Sequence, residues 1–248
     1  MTVDRDQSAR GPAGSFALVA DAYERARPGY PEDAARWLAG TDPCDVVDLG
    51  AGTGKLTRSL IALGHRVTAV EPLPEMLAQL REAVPGVEAA VPGTAEAIPL
   101  PDASADVVTA AQAFHWFEVD AALPEIARVL RPSGVLALVW NARDDGAAWV
   151  GELSRAVRSE TIEQSDFVPE LDASELFGPV EQASFSFVQT LDRQRLRDLV
   201  LSRSYCAALS AEERAPVLAE VERIFDAHSE NGEIELPYVT YCFRATRR

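Results

Sequence analysis

Seven consecutive residues, Asp48-Leu49-Gly50-Ala51-Gly52-Thr53-Gly54, carry the densest chemical signal in this 248-residue chain. Glycines at this spacing permit a tight turn. They also let a ligand approach backbone N–H groups at the start of the helix that follows. Glu71 stands at the end of the next β-branched run, Arg66-Val67-Thr68-Ala69-Val70. A carboxylate in that place can accept two hydrogen bonds from ribose hydroxyls.

The spacing discriminates among nucleotide loops. A P-loop reads GxxxxGK[ST], but Leu49 stands where the first glycine is needed, and Leu56 cannot ligate Mg²⁺. A dinucleotide loop reads GxGxxG, and Lys55 occupies its third glycine position. The actual pattern is GxGxG preceded by Asp48, whose charge repels a pyrophosphate and favours a cationic ligand with a free amino group.

The flanking elements form an alternating series. Asp45–Leu49, Arg66–Glu71, Val87–Val91, Asp106–Ala110 and Gly134–Trp140 read as apolar strands. Helices are predicted over Lys55–Leu63, stopped by Gly64, over Pro74–Ala83, and from a cap at Asp120 to Leu130. Strand-helix alternation with right-handed crossovers makes a doubly wound, mostly parallel α/β sheet. Phe16–Gly40 reads as two helices broken at Arg27-Pro28-Gly29-Tyr30-Pro31, and 141–175 as polar and weakly helical. Phe185–Val188 alternates, Asp192–Ser204 and Ala211–Ala227 read as helices, and Ile234–Arg244 is a closing strand interrupted by Pro237. Residues 1–14 are expected to be a flexible tail and 15–248 a single domain, with a ligand-binding half at 15–142, an acceptor-side region at 143–232 and a closing strand at 233–248.

Several ordered motifs carry a resemblance: VVDLGAGTGKLTRSL, AVEPLPEML, GTAEAIPLPDASADVV, AFHWF and ARVLRPSGVLALVW. Together they resemble the class I S-adenosylmethionine-dependent methyltransferases. Within that family they are similar to the small-molecule branch of trans-aconitate and ubiquinone/menaquinone methyltransferase-like enzymes. YERARPGYP and SRSYCAALS with LPYVTYCF resemble one bacterial subgroup of that branch. The resemblance implies a Rossmann-like seven-stranded sheet with an antiparallel C-terminal strand, and N-terminal and inserted helices forming a lid. It implies S-adenosyl-L-methionine as cofactor and S-adenosyl-L-homocysteine as product. Asp48, Gly50, Ala51, Gly52 and Gly54 would then hold the methionine moiety, and Glu71 the ribose. Pro72 and Met76 would cover the adenine, with Thr94, Ala95 and Glu96 at its edge. Many members have Asp where Thr94 stands, so a charge-assisted contact is exchanged for a hydroxyl. Gln112, Ala113 and Phe114 would line the pocket, Tyr23 and Arg27 would fold over the cofactor with the N-terminal helices, and Arg27 would pair with its carboxylate. Tyr30, His115, Trp116, Arg143, Arg203 and Tyr205 are acceptor-side candidates. His115 has a side chain suited to a general base near neutrality. A cofactor-binding but non-catalytic protein of this fold, and an NAD-dependent reductase, remain as alternatives.

Composition narrows the partners. There are 39 acidic and 23 basic residues, with Lys55 the sole lysine and a formal net charge of −16. So negative a surface argues against nucleic acid. No apolar run reaches the length of a membrane span. Cys44, Cys206 and Cys242 are far apart and form no CxxC pair, which argues against a zinc site or disulfide framework. The polar N-terminus has no signal-peptide pattern. The expectation is a cytoplasmic monomer or homodimer acting on a small-molecule acceptor, with no metal.

Overall fold

The computed structural model describes residues 26–157, 168–203, 206 and 209–248. In chain order the elements are α1 (Glu32–Ala39), β1 (Asp45–Leu49), α2 (Lys55–Ala62), β2 (Arg66–Val70), α3 (Pro74–Ala83), β3 (Ala89–Val91) and β4 (Ala105–Ala111). A single 3₁₀ turn, Phe114–Trp116, leads to α4 (Val119–Val129) and β5 (Leu130–Arg143). Then come α5 (Ala148–Ala156), α6 (Val168–Asp172), β6 (Glu181–Asp192), α7 (Arg193–Leu201), α8 (Ala211–His228) and β7 (Glu233–Thr246).

These residues fall into two compact units, one built of 28–143, 168–187 and 237–248 and the other of the remainder. In the larger unit the strands form a seven-stranded sheet in the order β3-β2-β1-β4-β5-β7-β6. The pairs β1–β2, β2–β3, β1–β4 and β4–β5 are parallel, and β5–β7 is antiparallel. The sheet is Rossmann-like, with successive strands added first on one side of β1 and then, from β4, on the other. That reversal opens a crevice outside the carboxyl ends of β1 and β4, the place where open α/β sheets bind ligands.

Both faces of the sheet are covered, and the pleat sorts β5 accordingly. Leu136, Leu138 and Trp140 pack with Leu49, Phe114, Ile126 and Phe243. Ala137 and Val139 point the other way, to Ala34, Leu38, Leu56, Leu60 and Cys242. Alternate residues of one strand thus enter two cores, which is why the parallel strands read as unbroken apolar runs. At the amino edge, Arg131 joins Asp45 and Asp106 at 3.0 and 2.8 Å, which leaves the carboxyl edge for ligand chemistry.

Several expectations need correction. Asp120 does not cap α4. The chain leaves the 3₁₀ turn extended, so Glu118 takes the N-cap place and Asp120 lies in the first turn, facing the helix dipole. Pro237 does not interrupt β7. The strand's pairing with β5 begins at Tyr238, so the ladder to β5 needs no proline N–H. His65, on the turn after Gly64, reads from the sequence as a solvent-facing residue but is buried. It is 4 % exposed, lies 3.3 Å from the Cys44 sulfur, and burial lowers its pKa. The 141–175 stretch is partly sheet, because β5 runs on to Arg143, with helix at Ala148–Ala156 and Val168–Asp172.

In the smaller unit, α8 begins with a capping box, Ser210 with Glu213, and α7 is capped by Asp192. Arg193 pairs with Glu222 and Asp226, and Arg223 with Glu152 and Glu220. No helix among the described residues is long and apolar enough to cross a membrane.

Candidate active site

The glycine loop leaves β1 with all three glycines in the left-handed region, at φ +62° for Gly50, +58° for Gly52 and +85° for Gly54. The amides of Gly50 and Ala51 both donate to the Val70 carbonyl, at 2.9 and 3.2 Å, which ties the loop to the end of β2. The glycines differ in what surrounds them. A Cβ on Gly50 would lie 2.7 Å from Ala113 Cβ, and one on Gly54 would lie 2.7 Å from Val84 Cγ2. A Cβ on Gly52 would meet nothing within 4 Å. Packing therefore requires two of the glycines, and the third borders open space.

Glu71 lies just past β2 and is 5 % exposed. Its Oε2 accepts from the Gly52 amide and its Oε1 from the Leu73 amide, both at 2.9 Å. Burial raises its pKa, and those two amide donors oppose the rise.

Asp48 does not present its carboxylate to a ligand. The side chain is fully buried, with Oδ2 accepting from Thr57 Oγ1 at 2.6 Å and Oδ1 from Thr109 Oγ1 at 2.9 Å. Thr57 is on α2 and Thr109 on β4, so the acid holds the loop from beneath. Sequence reasoning missed both threonines. The available signal was a lone hydroxyl in the otherwise apolar run Val107-Val108-Thr109-Ala110.

Burial pushes the Asp48 carboxyl up to about 6, against the pull of its hydroxyl donors. A raised pKa means that the folded chain binds the proton more tightly than the unfolded chain does. This group's contribution to stability is therefore fully present below about pH 4 and is lost as pH rises through about 6. Asp48→Asn should remove that decline and raise stability at pH 8 by about 2 kcal/mol. Thermal melts of both proteins from pH 4 to 8 check this, and a variant keeping the parental slope would contradict it.

At the carboxyl end of β4, Gln112 adopts φ +57°, a conformation that non-glycine residues rarely hold. Its amide donates to the Val139 carbonyl at 2.9 Å, and its Nε2 to the Asn141 carbonyl at 3.3 Å. The turn that follows divides its aromatics. Phe114 is 1 % exposed and sits edge-on to Phe117 in the core, so its ring is not a pocket wall. Trp116 is 65 % exposed, and its ring lies 4.8 Å from that of His115. His115 is half-buried, with Nδ1 hidden and without a hydrogen-bond partner. Burial lowers its pKa.

The remaining candidates are distributed as follows. Pro72 is exposed and Met76 half-buried on α3. Thr94 is exposed, Ala95 buried, and the Glu96 carboxylate accepts from the Glu118 amide at 2.9 Å. Tyr30 packs against the core that contains Leu38. Arg143 ends β5 opposite Tyr238. Arg27 and Arg203 belong to the smaller unit, where Arg27 donates to the Ser202 hydroxyl at 2.9 Å. Tyr23 and Tyr205 lie outside the described residues. The fold thus gathers the glycine loop, Glu71 and the Gln112–Trp116 turn along the adjoining carboxyl ends of β1, β2 and β4.

A mostly parallel seven-stranded sheet with a GxGxG loop and an acid closing the second strand defines a class I methyltransferase. Residues 47–138 match the methyltransferase domain family. The chain is 45 % identical over 236 residues to an uncharacterized methyltransferase of Mycobacterium tuberculosis, covering 94 % of this chain and 95 % of that one. It is 38 % identical over 241 residues to an uncharacterized methyltransferase-like protein of Schizosaccharomyces pombe, covering 92 % and 93 %. A solved structure of a proposed type II methyltransferase from Anaeromyxobacter dehalogenans is similar at TM-score 0.66 and 29 % identity, covering 89 % and 97 %. The chain belongs to the class I S-adenosylmethionine-dependent methyltransferases.

Proposed function

We propose that the protein transfers the methyl group of S-adenosylmethionine to a small-molecule acceptor by in-line displacement. The observation that carries this reading is the juxtaposition of Glu71 with the open side of Gly52, at the point where the strand order reverses. The cofactor, when bound, supplies a methyl group already activated by a sulfonium. The protein's task is to bind, align and exclude water.

Each Glu71 oxygen has one backbone donor and room for another, so the carboxylate can take the ribose hydroxyls without releasing the loop. Pro72 and Met76 offer apolar surface for the adenine, and Thr94 and Ala95 polar groups for its edge. Gln112 and Ala113 continue the wall. Trp116, Tyr30 and Arg143 are assigned to the acceptor side.

His115 is the proposed general base. Burial keeps its imidazole neutral, the state from which it can take a proton. An acceptor hydroxyl or amine would pass its proton to that ring as the new bond to methyl forms, whereas a carboxylate acceptor has no proton to lose. His115→Gln should lower kcat by about a hundredfold on protic acceptors and leave product affinity unchanged. The test is S-adenosylhomocysteine release across a panel of hydroxyl, amine and carboxylate acceptors. Tight cofactor binding without release on any of them would favour the non-catalytic reading.

A further inference from the structure

Asn141 lies near the carboxyl end of β5, beside the end of β4 that carries Gln112. Three contacts converge on it within the larger unit. Its Nδ2 donates to the Gly29 carbonyl at 2.9 Å. Its Oδ1 accepts from Thr240 Oγ1 at 2.7 Å, and its own carbonyl accepts from Gln112 Nε2 at 3.3 Å. Thr240 is fully buried and stands directly opposite Asn141 in the β5–β7 register. A carbonyl can only accept, so Gly29 fixes which end of the carboxamide carries the nitrogen. The Thr240 hydroxyl then holds the other end.

The segment so tethered is Pro28-Gly29-Tyr30-Pro31. Its two prolines have no N–H, so it cannot pair as a regular strand. Its backbone is attached instead through a carbonyl, at the carboxyl edge of the sheet and beside the strained Gln112.

We infer that Asn141 is a positioning residue. With Thr240 and Gln112 it forms a polar latch that fixes the Pro28–Pro31 strap along the carboxyl edge, next to the Gln112 turn that borders the ligand site. The inference rests on the methyl-transfer reading of that site.

The test compares the parental protein with Asn141→Asp, Thr240→Val and Thr240→Ser. Asn141→Asp keeps the size and the acceptor for Thr240, but sets a carboxylate against the Gly29 carbonyl. It should weaken S-adenosylhomocysteine binding, measured by calorimetry, at least tenfold. It should also speed hydrogen exchange at the Tyr30 amide, with the ligand-free melting temperature held. Thr240→Val should weaken binding severalfold, and Thr240→Ser should restore parental affinity because the hydroxyl is retained. Parental affinity and exchange in Asn141→Asp would overturn the latch and leave the cofactor site standing. A loss of affinity in Asn141→Asp accompanied by a matching fall in melting temperature would also overturn it, as a general loss of structure. If the parental protein itself fails to bind S-adenosylhomocysteine, the methyl-transfer reading falls, and the latch with it.

Discussion

A Gly50→Val variant is expected to lose measurable affinity for S-adenosylhomocysteine and to melt at a clearly lower temperature. Two physical costs combine. At φ +62° an L side chain costs about 1–2 kcal/mol, and more when β-branched. The new Cβ also meets Ala113 Cβ at 2.7 Å, and Phe117 stands behind at 3.8 Å. Ala113 cannot retreat easily, because the preceding amide is bonded to Val139 and Phe114 is locked in the core. The loop must move instead, and a shift of about 1 Å is enough to cost a hundredfold or more in a positioned site. Gly52→Ala is the informative comparison. Its Cβ meets nothing within 4 Å, so only the backbone strain of about 1–2 kcal/mol applies. It should fold nearly normally and still bind poorly, because the methyl group enters the space assigned to the ligand. Melting curves and calorimetry on both variants check this. Tight binding by Gly52→Ala would remove the ligand from that side of the loop.

Glu71→Ala is the second large effect. The carboxylate is buried and serves both sides of the site, with its two amide donors on one side and the proposed ribose hydroxyls on the other. Hydrogen bonds to a charged group contribute about 1.5–3 kcal/mol each, so loss of two ribose contacts should weaken binding by roughly a thousandfold. Glu71→Gln keeps the shape but gives up the charge, and one amide end would offer a hydrogen to an N–H. It should fall between alanine and the parent. Equal affinity in all three proteins would show that this carboxylate does not touch the ligand.

The parts of the site that were legible beforehand are the local ones. Gly50 to Gly54 and Glu71 sit at the ends of adjacent strands, where a glycine pattern and one acid report the geometry directly. Gly64 and Pro74 marked helix ends for the same reason, since each acts on its own backbone. What escaped depends on residues distant in the chain. Asp48 reads as an acid facing a cation, yet Thr57 and Thr109 enclose it from a helix and a neighbouring strand. Nothing local to Gln112 announces a positive φ, because its amide is drawn to Val139 across the sheet. Asn141 and Thr240 meet only through an antiparallel pairing of strands far apart in sequence. Phe114 and Trp116 are both aromatic and two residues apart, and only the 3₁₀ turn decides that one is core and the other exposed.

Methyl transfer as proposed requires that the crevice between the glycine loop and Glu71 hold an adenosyl cofactor. Titration calorimetry of the parental protein and Glu71→Ala, with S-adenosylhomocysteine and NAD as ligands, tests that requirement most directly. The parent should bind S-adenosylhomocysteine at micromolar affinity or tighter, the variant about a thousandfold more weakly, and NAD should give no heat. Tight NAD binding with no response to S-adenosylhomocysteine would contradict it.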